Sequence, residues 1–173
     1  GVFNLFIGAG SEVGNHLVNS TSIDAISFTG SVPVGRGIAM AGAANFTRVQ
    51  LEMGSKNALV IMDDGDMDTA VACALNGAFG GSGQKCTASS RLVVHRAVHD
   101  EFVARLVAGA NAMVVGHALE AGTQIGPIVS AQQLSENLNN VALVKQEGGE
   151  LMCGGEQLDM ATPGFYMNPA LFI

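Results

Sequence analysis

Charged side chains are scarce in this 173-residue chain: Asp, Glu, Lys and Arg together make up 13% of it, about half of the roughly 25% usual for a soluble domain. Hydrophobic residues reach 48%, so the chain is expected to rest against other protein. The charge that is present has the wrong sign for nucleic acid. A net −7 with scattered Lys and Arg offers no basic face to a phosphate backbone. No apolar run approaches the roughly 18 residues that a membrane span requires, and no charged segment leading into a cleavable apolar stretch marks a targeting peptide. Only three cysteines occur, Cys73, Cys86 and Cys153. Their odd number argues against a disulfide framework, and their spacing matches no metal-ligand set, so no metal is expected. A reducing cytoplasm is the expected compartment, and it would leave a thiol free to react.

The length is sufficient for one domain-sized core. Strand-like and helix-like runs alternate, which reads as α/β. Strands are expected at Val2–Ile7, Ile26–Thr29, Thr47–Glu52, Asn57–Met62, Arg91–His95, Leu151–Cys153 and Tyr166–Ile173. Helices are expected from the Gly8–Gly14 turn to about Asn19, over about Val34–Ala44, from an Asp66 cap to Phe79, over Val98–Val115, and over Ser130–Glu147 before Gly148-Gly149. In the helix that Asp66 caps, Ala70, Val71, Ala74 and Leu75 share one face. Cys73, inside the same helix, is expected to be core filler. A boundary is placed after Glu52 at the Gly54-Ser55 turn, dividing the chain into 1–53 and 54–173.

Two short segments carry chemistry. Cys86 sits in Phe79-Gly80-Gly81-Ser82-Gly83-Gln84-Lys85-Cys86-Thr87-Ala88-Ser89-Ser90-Arg91, between a Gly/Ser run and a polar stretch. A thiol so placed is expected to be accessible, with Lys85 beside it to favour the thiolate, the reactive form. Glu52 stands upstream in Leu51-Glu52-Met53-Gly54-Ser55-Lys56-Asn57. A sulfur nucleophile and a separately held general base suit covalent acyl chemistry. Each is ordinary alone, since cysteine is usually buried packing and a glutamate at a strand end is usually a solvated charge. Lys56 and the four histidines stand in no catalytic arrangement.

Together these segments resemble, in order, the two active-site signatures of the aldehyde dehydrogenase superfamily. One typically reads Glu-Leu-Gly-Gly-Lys, here Glu52-Met53-Gly54-Ser55-Lys56; the other reads Phe-x-x-x-Gly-Gln-x-Cys, here Phe79, Gly83, Gln84 and Cys86. The resemblance implies a partial aldehyde-dehydrogenase fold, with the second part of a Rossmann-like NAD(P)-binding domain over 1–53 and the first part of the α/β catalytic domain over 54–173. It implies that Cys86 attacks an aldehyde, that NAD or NADP accepts hydride, and that Glu52 activates the water that hydrolyses the thioester. Ser31 would meet a cofactor phosphate, Gly30 the nicotinamide ribose, Gly10 the adenine and Gln133 a cofactor ribose. The Gly8-x-Gly10-x-x-x-Gly14 spacing does not match the usual Gly-x-Gly-x-x-Gly fingerprint. Ser55 replaces the usual second glycine, and a positive φ there would carry a cost.

The variant Glu-Met-Gly-Ser-Lys with Gly-Gln-Lys-Cys-Thr-Ala-Ser-Ser-Arg resembles the branch that oxidises 2-oxoglutarate semialdehyde. The family's chains are roughly three times as long as this one, on the scale of several domains rather than one. This chain is therefore expected to be a central fragment, inactive alone and part of a homo-oligomer when whole. The family's oxyanion asparagine and its adenosine-ribose contacts lie outside it. The alternatives are a relative that transfers the acyl group to coenzyme A, disfavoured by the presence of Glu52, and a non-catalytic remnant.

Overall fold

A computed structural model describes all 173 residues, which form two compact units, Gly1–Ser55 and Lys56–Ile173. Each contains a βαβ unit, two parallel strands joined through a helix, as parallel strands require a crossover.

In the first unit a π-turn at Gly10–Gly14 runs into the short helix α1 (Asn15–Val18). Strand β1 (Ala25–Gly30), helix α2 (Val32–Asn45) and strand β2 (Arg48–Met53) follow, with β1 and β2 parallel in the register Thr29↔Glu52 and Gly30↔Met53. Helix α2 buries Gly35, Ile38 and Gly42, one helical stripe at i, i+3 and i+7. The glycines let backbone approach side chains closely. A Cβ at Gly35 would lie 2.5 Å from Met53 Sδ, and one at Gly42 would lie 2.3 Å from Val49 Cγ2. Val49, Leu51 and Met53 are therefore the half-buried side of β2, and Arg48, Gln50 and Glu52 its exposed side.

The second unit begins with β3 (Asn57–Ile61), α3 (Met67–Phe79) and β4 (Ser89–Val94), with β3 and β4 parallel. Helix α4 (His99–Ala112) packs on α3, closely at Gly109, where a Cβ would meet Leu75 Cδ1 at 2.5 Å. The core is Ile61, Ala74, Phe102 and Leu106, with Leu59, Ala70, Val71, Leu75, Leu92 and Val94 packed around it. Burying a side chain such as Phe102 contributes about 1.5–3 kcal/mol. Helix α5 (Ala131–Gln146) starts at Ser130, whose Oγ accepts from Gln133 N at 3.1 Å. Two antiparallel pairs complete the unit: β5 (Leu151–Cys153) with β8 (Leu171–Phe172), and β6 (Gln157–Leu158) with β7 (Tyr166–Met167).

Three expectations need correction. Val2–Ile7 is not a strand; it is exposed and pairs with no other segment, and strand propensity alone makes no ladder. Tyr166–Ile173 is two strands, not one, broken around Pro169. Proline brings no N–H to a ladder, and the Pro169 carbonyl lies so close to Gly154 (φ 65°) that any Cβ there would collide with it. Cys73 is exposed, not core, because it falls off the Ala70-Val71-Ala74-Leu75 stripe that faces the sheet and α4.

Two outcomes test this packing. Gly42→Ala is expected to destabilise the protein by about 1–3 kcal/mol, while Gly37→Ala, where a Cβ meets nothing within 4 Å, is expected to stabilise it by roughly 0.5–1 kcal/mol. Urea unfolding of the two variants would check this opposition within one helix. Asp66 accepts from Thr69 N at 2.8 Å, and this capping bond holds its carboxyl below the ordinary 3.8. A lowered folded pKa stabilises above the ordinary value, and the benefit is lost as pH falls through the folded one. The Tm difference between wild type and Asp66→Asn is therefore expected to be largest near neutrality and to close under acid, as read by thermal scans across pH.

Candidate active site

Cys86 lies in the connection from α3 to β4, within the second βαβ unit. Helix α3 ends at Gly80, and the chain then takes a left-handed turn at Gly81 (φ 64°), Ser82 (φ 60°) and Gly83 (φ 64°). A Cβ at Gly83 would sit 2.7 Å from the Ala78 carbonyl oxygen, so glycine is required there for space as well as for φ. The Gly/Ser run therefore has one defined shape. Beyond it the backbone forms no ladder until Ser89, and side-chain amides hold it. Asn57 Nδ2 donates to the Cys86 carbonyl at 2.8 Å and to the Ala88 carbonyl at 3.3 Å. Gln84 Nε2 donates to the Pro127 carbonyl at 3.2 Å, while Gln84 Oε1 accepts from Val129 N at 2.9 Å. Ser82 Oγ donates to the Gly126 carbonyl at 2.9 Å.

The Cys86 residue itself is exposed. The Lys85 stem lies over the turn, its carbons within 4 Å of where a Gly81 Cβ would stand. A depression of about 660 Å³ is lined by Phe79, Leu92, Phe102, Leu106 and Phe172 among others, and Cys86 is not one of its walls. It lies beside the sheet, with Ser89, Ser90 and His99 among its mostly apolar walls. Gln133 is at the third position of α5, and its Nε2 donates to Asn137 Oδ1 at 3.0 Å. Val129, four residues before it, holds Gln84, so the start of α5 and the Cys86 loop share one bonded framework.

In the first unit, Gly30 and Ser31 stand where β1 enters α2, and Glu52 is at the matching end of β2. Thr29↔Glu52 is a pair in the ladder, so these candidates occupy one end of the parallel pair, the end where α/β sheets commonly bind ligands. Glu52 points away from α2 and is exposed. Ser31 is the N-cap of α2 but makes no capping bond with its side chain, and the first turn carries no acidic residue. That combination suits an anion such as a phosphate. Gly10 lies in the π-turn with nothing within 4 Å of a Cβ position. Neither Gly54 nor Ser55 has a positive φ, so the serine substitution carries no backbone cost.

The roles of Asn57, Ser82 and Gln84 as braces are not evident from the sequence. Gln84 belongs to the cysteine signature, and its amide offers a donor and an acceptor at once, but the groups it joins are more than 40 residues away along the chain.

The aldehyde dehydrogenase family model matches residues 1–173. The chain belongs to this family. It is 39% identical to the alpha-ketoglutaric semialdehyde dehydrogenase of Bacillus subtilis, over 99% of this chain and 36% of that protein. It is 38% identical to the betaine aldehyde dehydrogenase of Cereibacter sphaeroides, over 99% of this chain and 35% of that one. Among solved structures, an aldehyde dehydrogenase from Bacillus cereus in complex with NAD+ superposes with a TM-score of 0.90 at 36% identity, covering 95% of this chain and 33% of that one. The α/β fold is thus part of the aldehyde-dehydrogenase fold, and the chain spans about a third of the length of these relatives. No helix is long and apolar enough to cross a membrane.

The thiols differ in setting, which gives a direct test. Cys153 is half-buried in β5, and burial pushes its thiol above the ordinary value. Near pH 8 it holds less thiolate than an ordinary cysteine. Iodoacetamide is expected to label Cys86 and Cys73 before Cys153, as followed by peptide mass spectrometry over time.

Proposed function

We propose that this chain is the central segment of an NAD(P)-dependent aldehyde dehydrogenase that converts an aldehyde to a carboxylic acid, with Cys86 as nucleophile and Glu52 as general base. The observation that carries the reading is an exposed Cys86 on a loop with a defined shape, in a chain of this family. Residues 1–53 would be the cofactor-binding part and 54–173 the catalytic part. Among the candidates, Ser31 at the start of α2 would take a phosphate of the dinucleotide, with Gly30, Gly10 and Gln133 as its further contacts. NAD+, when bound, supplies the acceptor for the aldehyde hydrogen as hydride. The Bacillus cereus relative in complex with NAD+ and the 3,6-anhydro-L-galactose dehydrogenase in complex with NAP both support a nicotinamide dinucleotide here, NAD or NADP.

The chain's own residues account for the rest. The Cys86 thiolate attacks the carbonyl carbon, a C–S bond forms, and the carbonyl π electrons pass to oxygen. Once the C–H electrons have left as hydride, the oxyanion collapses to a thioester on Cys86. Glu52 takes a proton from water as that water attacks the thioester carbon. The C–S bond then breaks and releases a carboxylate, with the electron pair returning to Cys86. A base at position 52 supports hydrolysis rather than transfer to coenzyme A.

For the substrate we infer 2-oxoglutarate semialdehyde. Support comes from the Glu52–Lys56 and Gly83–Arg91 sequences and from the Bacillus subtilis relative. A homo-oligomeric assembly in the cytoplasm completes the reading.

In the full-length protein, Cys86→Ala is expected to abolish aldehyde-dependent NADH formation. Glu52→Gln is expected to lower steady-state turnover roughly 10²–10⁴-fold yet keep a first-turnover NADH burst, because hydrolysis follows hydride loss. A burst-free Glu52→Gln enzyme, or stimulation of turnover by coenzyme A, would contradict the assignment. The kcat/KM for 2-oxoglutarate semialdehyde, an anion, should exceed that for betaine aldehyde, a quaternary ammonium; the reverse order would refute the substrate.

A further inference from the structure

We infer that Gln84 is a positioning residue for Cys86, acting through a two-point amide bridge to the segment that precedes α5. The inference rests on the reading of Cys86 as nucleophile.

The bridge requires an amide. Its nitrogen donates to the Pro127 carbonyl and its oxygen accepts from Val129 N–H. A carboxylate offers acceptors only, and an alkyl or thioether chain offers no donor. The partners are fixed main-chain groups: Pro127 has no N–H of its own, and Val129 lies immediately before the Ser130 cap of α5. Two residues earlier, Ser82 Oγ makes a parallel tie to the Gly126 carbonyl. The thiol is therefore held from two sides. Asn57 grips the carbonyl of Cys86 itself, and Gln84 secures the residues just before it. Between them lie only Lys85 and the thiol-bearing residue. Attack on a carbonyl depends steeply on nucleophile placement, and a shift of about 1 Å can cost on the order of 10²-fold in rate. A side chain that sets the loop without touching the substrate should act on kcat and leave KM largely alone.

Gln84→Glu is the decisive variant, because glutamate fills the same space and keeps the acceptor while removing the donor. A residue that only fills space tolerates it. In the full-length protein, kcat is expected to fall roughly 10- to 100-fold with KM for the aldehyde within about twofold of wild type. The rate of Cys86 alkylation by iodoacetamide, divided by that of Cys73 in the same molecules, should change by about threefold or more. Wild-type values of both kcat and the alkylation ratio would overturn the inference. If the wild-type protein oxidises no aldehyde, the functional reading fails by itself, and the alkylation ratio alone decides whether Gln84 sets the thiol. Should Gln84→Glu not fold, Gln84→Met fills similar space while removing both the donor and the acceptor, and an unchanged ratio there would overturn the inference equally.

Discussion

The carbonyl of Cys86 accepts a hydrogen bond from Asn57, the first residue of β3, and the local structure around the thiol depends on that contact. A reactive thiol must be reachable, so its loop cannot be buried in the core. Nor can it join a sheet without losing its freedom of approach. What remains is to fix the backbone by side chains rooted in more rigid elements. Asn57 is rooted in the β3–β4 ladder, and Gln84 bonds to main-chain groups beside α5. The thiol gains a defined position while its sulfur stays free of packing. Reactive groups on loops positioned by a rigid scaffold follow the same logic.

The two βαβ units use the same topology to different ends. In the first, the ends of the parallel strands carry Gly30, Ser31 and Glu52, and α2 begins there with an anion-tolerant first turn. In the second, the important connection is the return from α3 to β4, so Cys86 emerges beside the beginnings of the strands. The first unit packs helix on sheet through glycines at 35 and 42. The second does so through Ala74 and the larger Phe102 and Leu106.

Local signals were readable from the sequence because they act over a few residues. The Asp66 cap, the α3 stripe and the Gly148-Gly149 stop belong to this class. The two active-site signatures were readable for another reason: their residue types in order match a family pattern, now supported over 1–173. Features that depend on distant partners were not readable. Val2–Ile7 has strand composition but no ladder to join. The stretch from Tyr166 looks continuous until Gly154, far away in sequence, is found against Pro169. The work of Gln84, Ser82 and Asn57 is hidden for the same cause, since each bonds across 29 residues or more.

Helix α3 has one further property. Its middle, through Ala74, forms part of the hydrophobic core, and its last residues lead directly into the left-handed turn before Cys86. The same rigid rod is thus both a wall of the interior and the stalk of the loop that carries Cys86. Repacking deep beneath it would tilt that stalk, so a change at Phe102 or Leu106 would register at the Cys86 loop as well as in lost stability. In such an arrangement the boundary between residues that maintain the fold and residues that place the thiol ceases to follow distance from the sulfur.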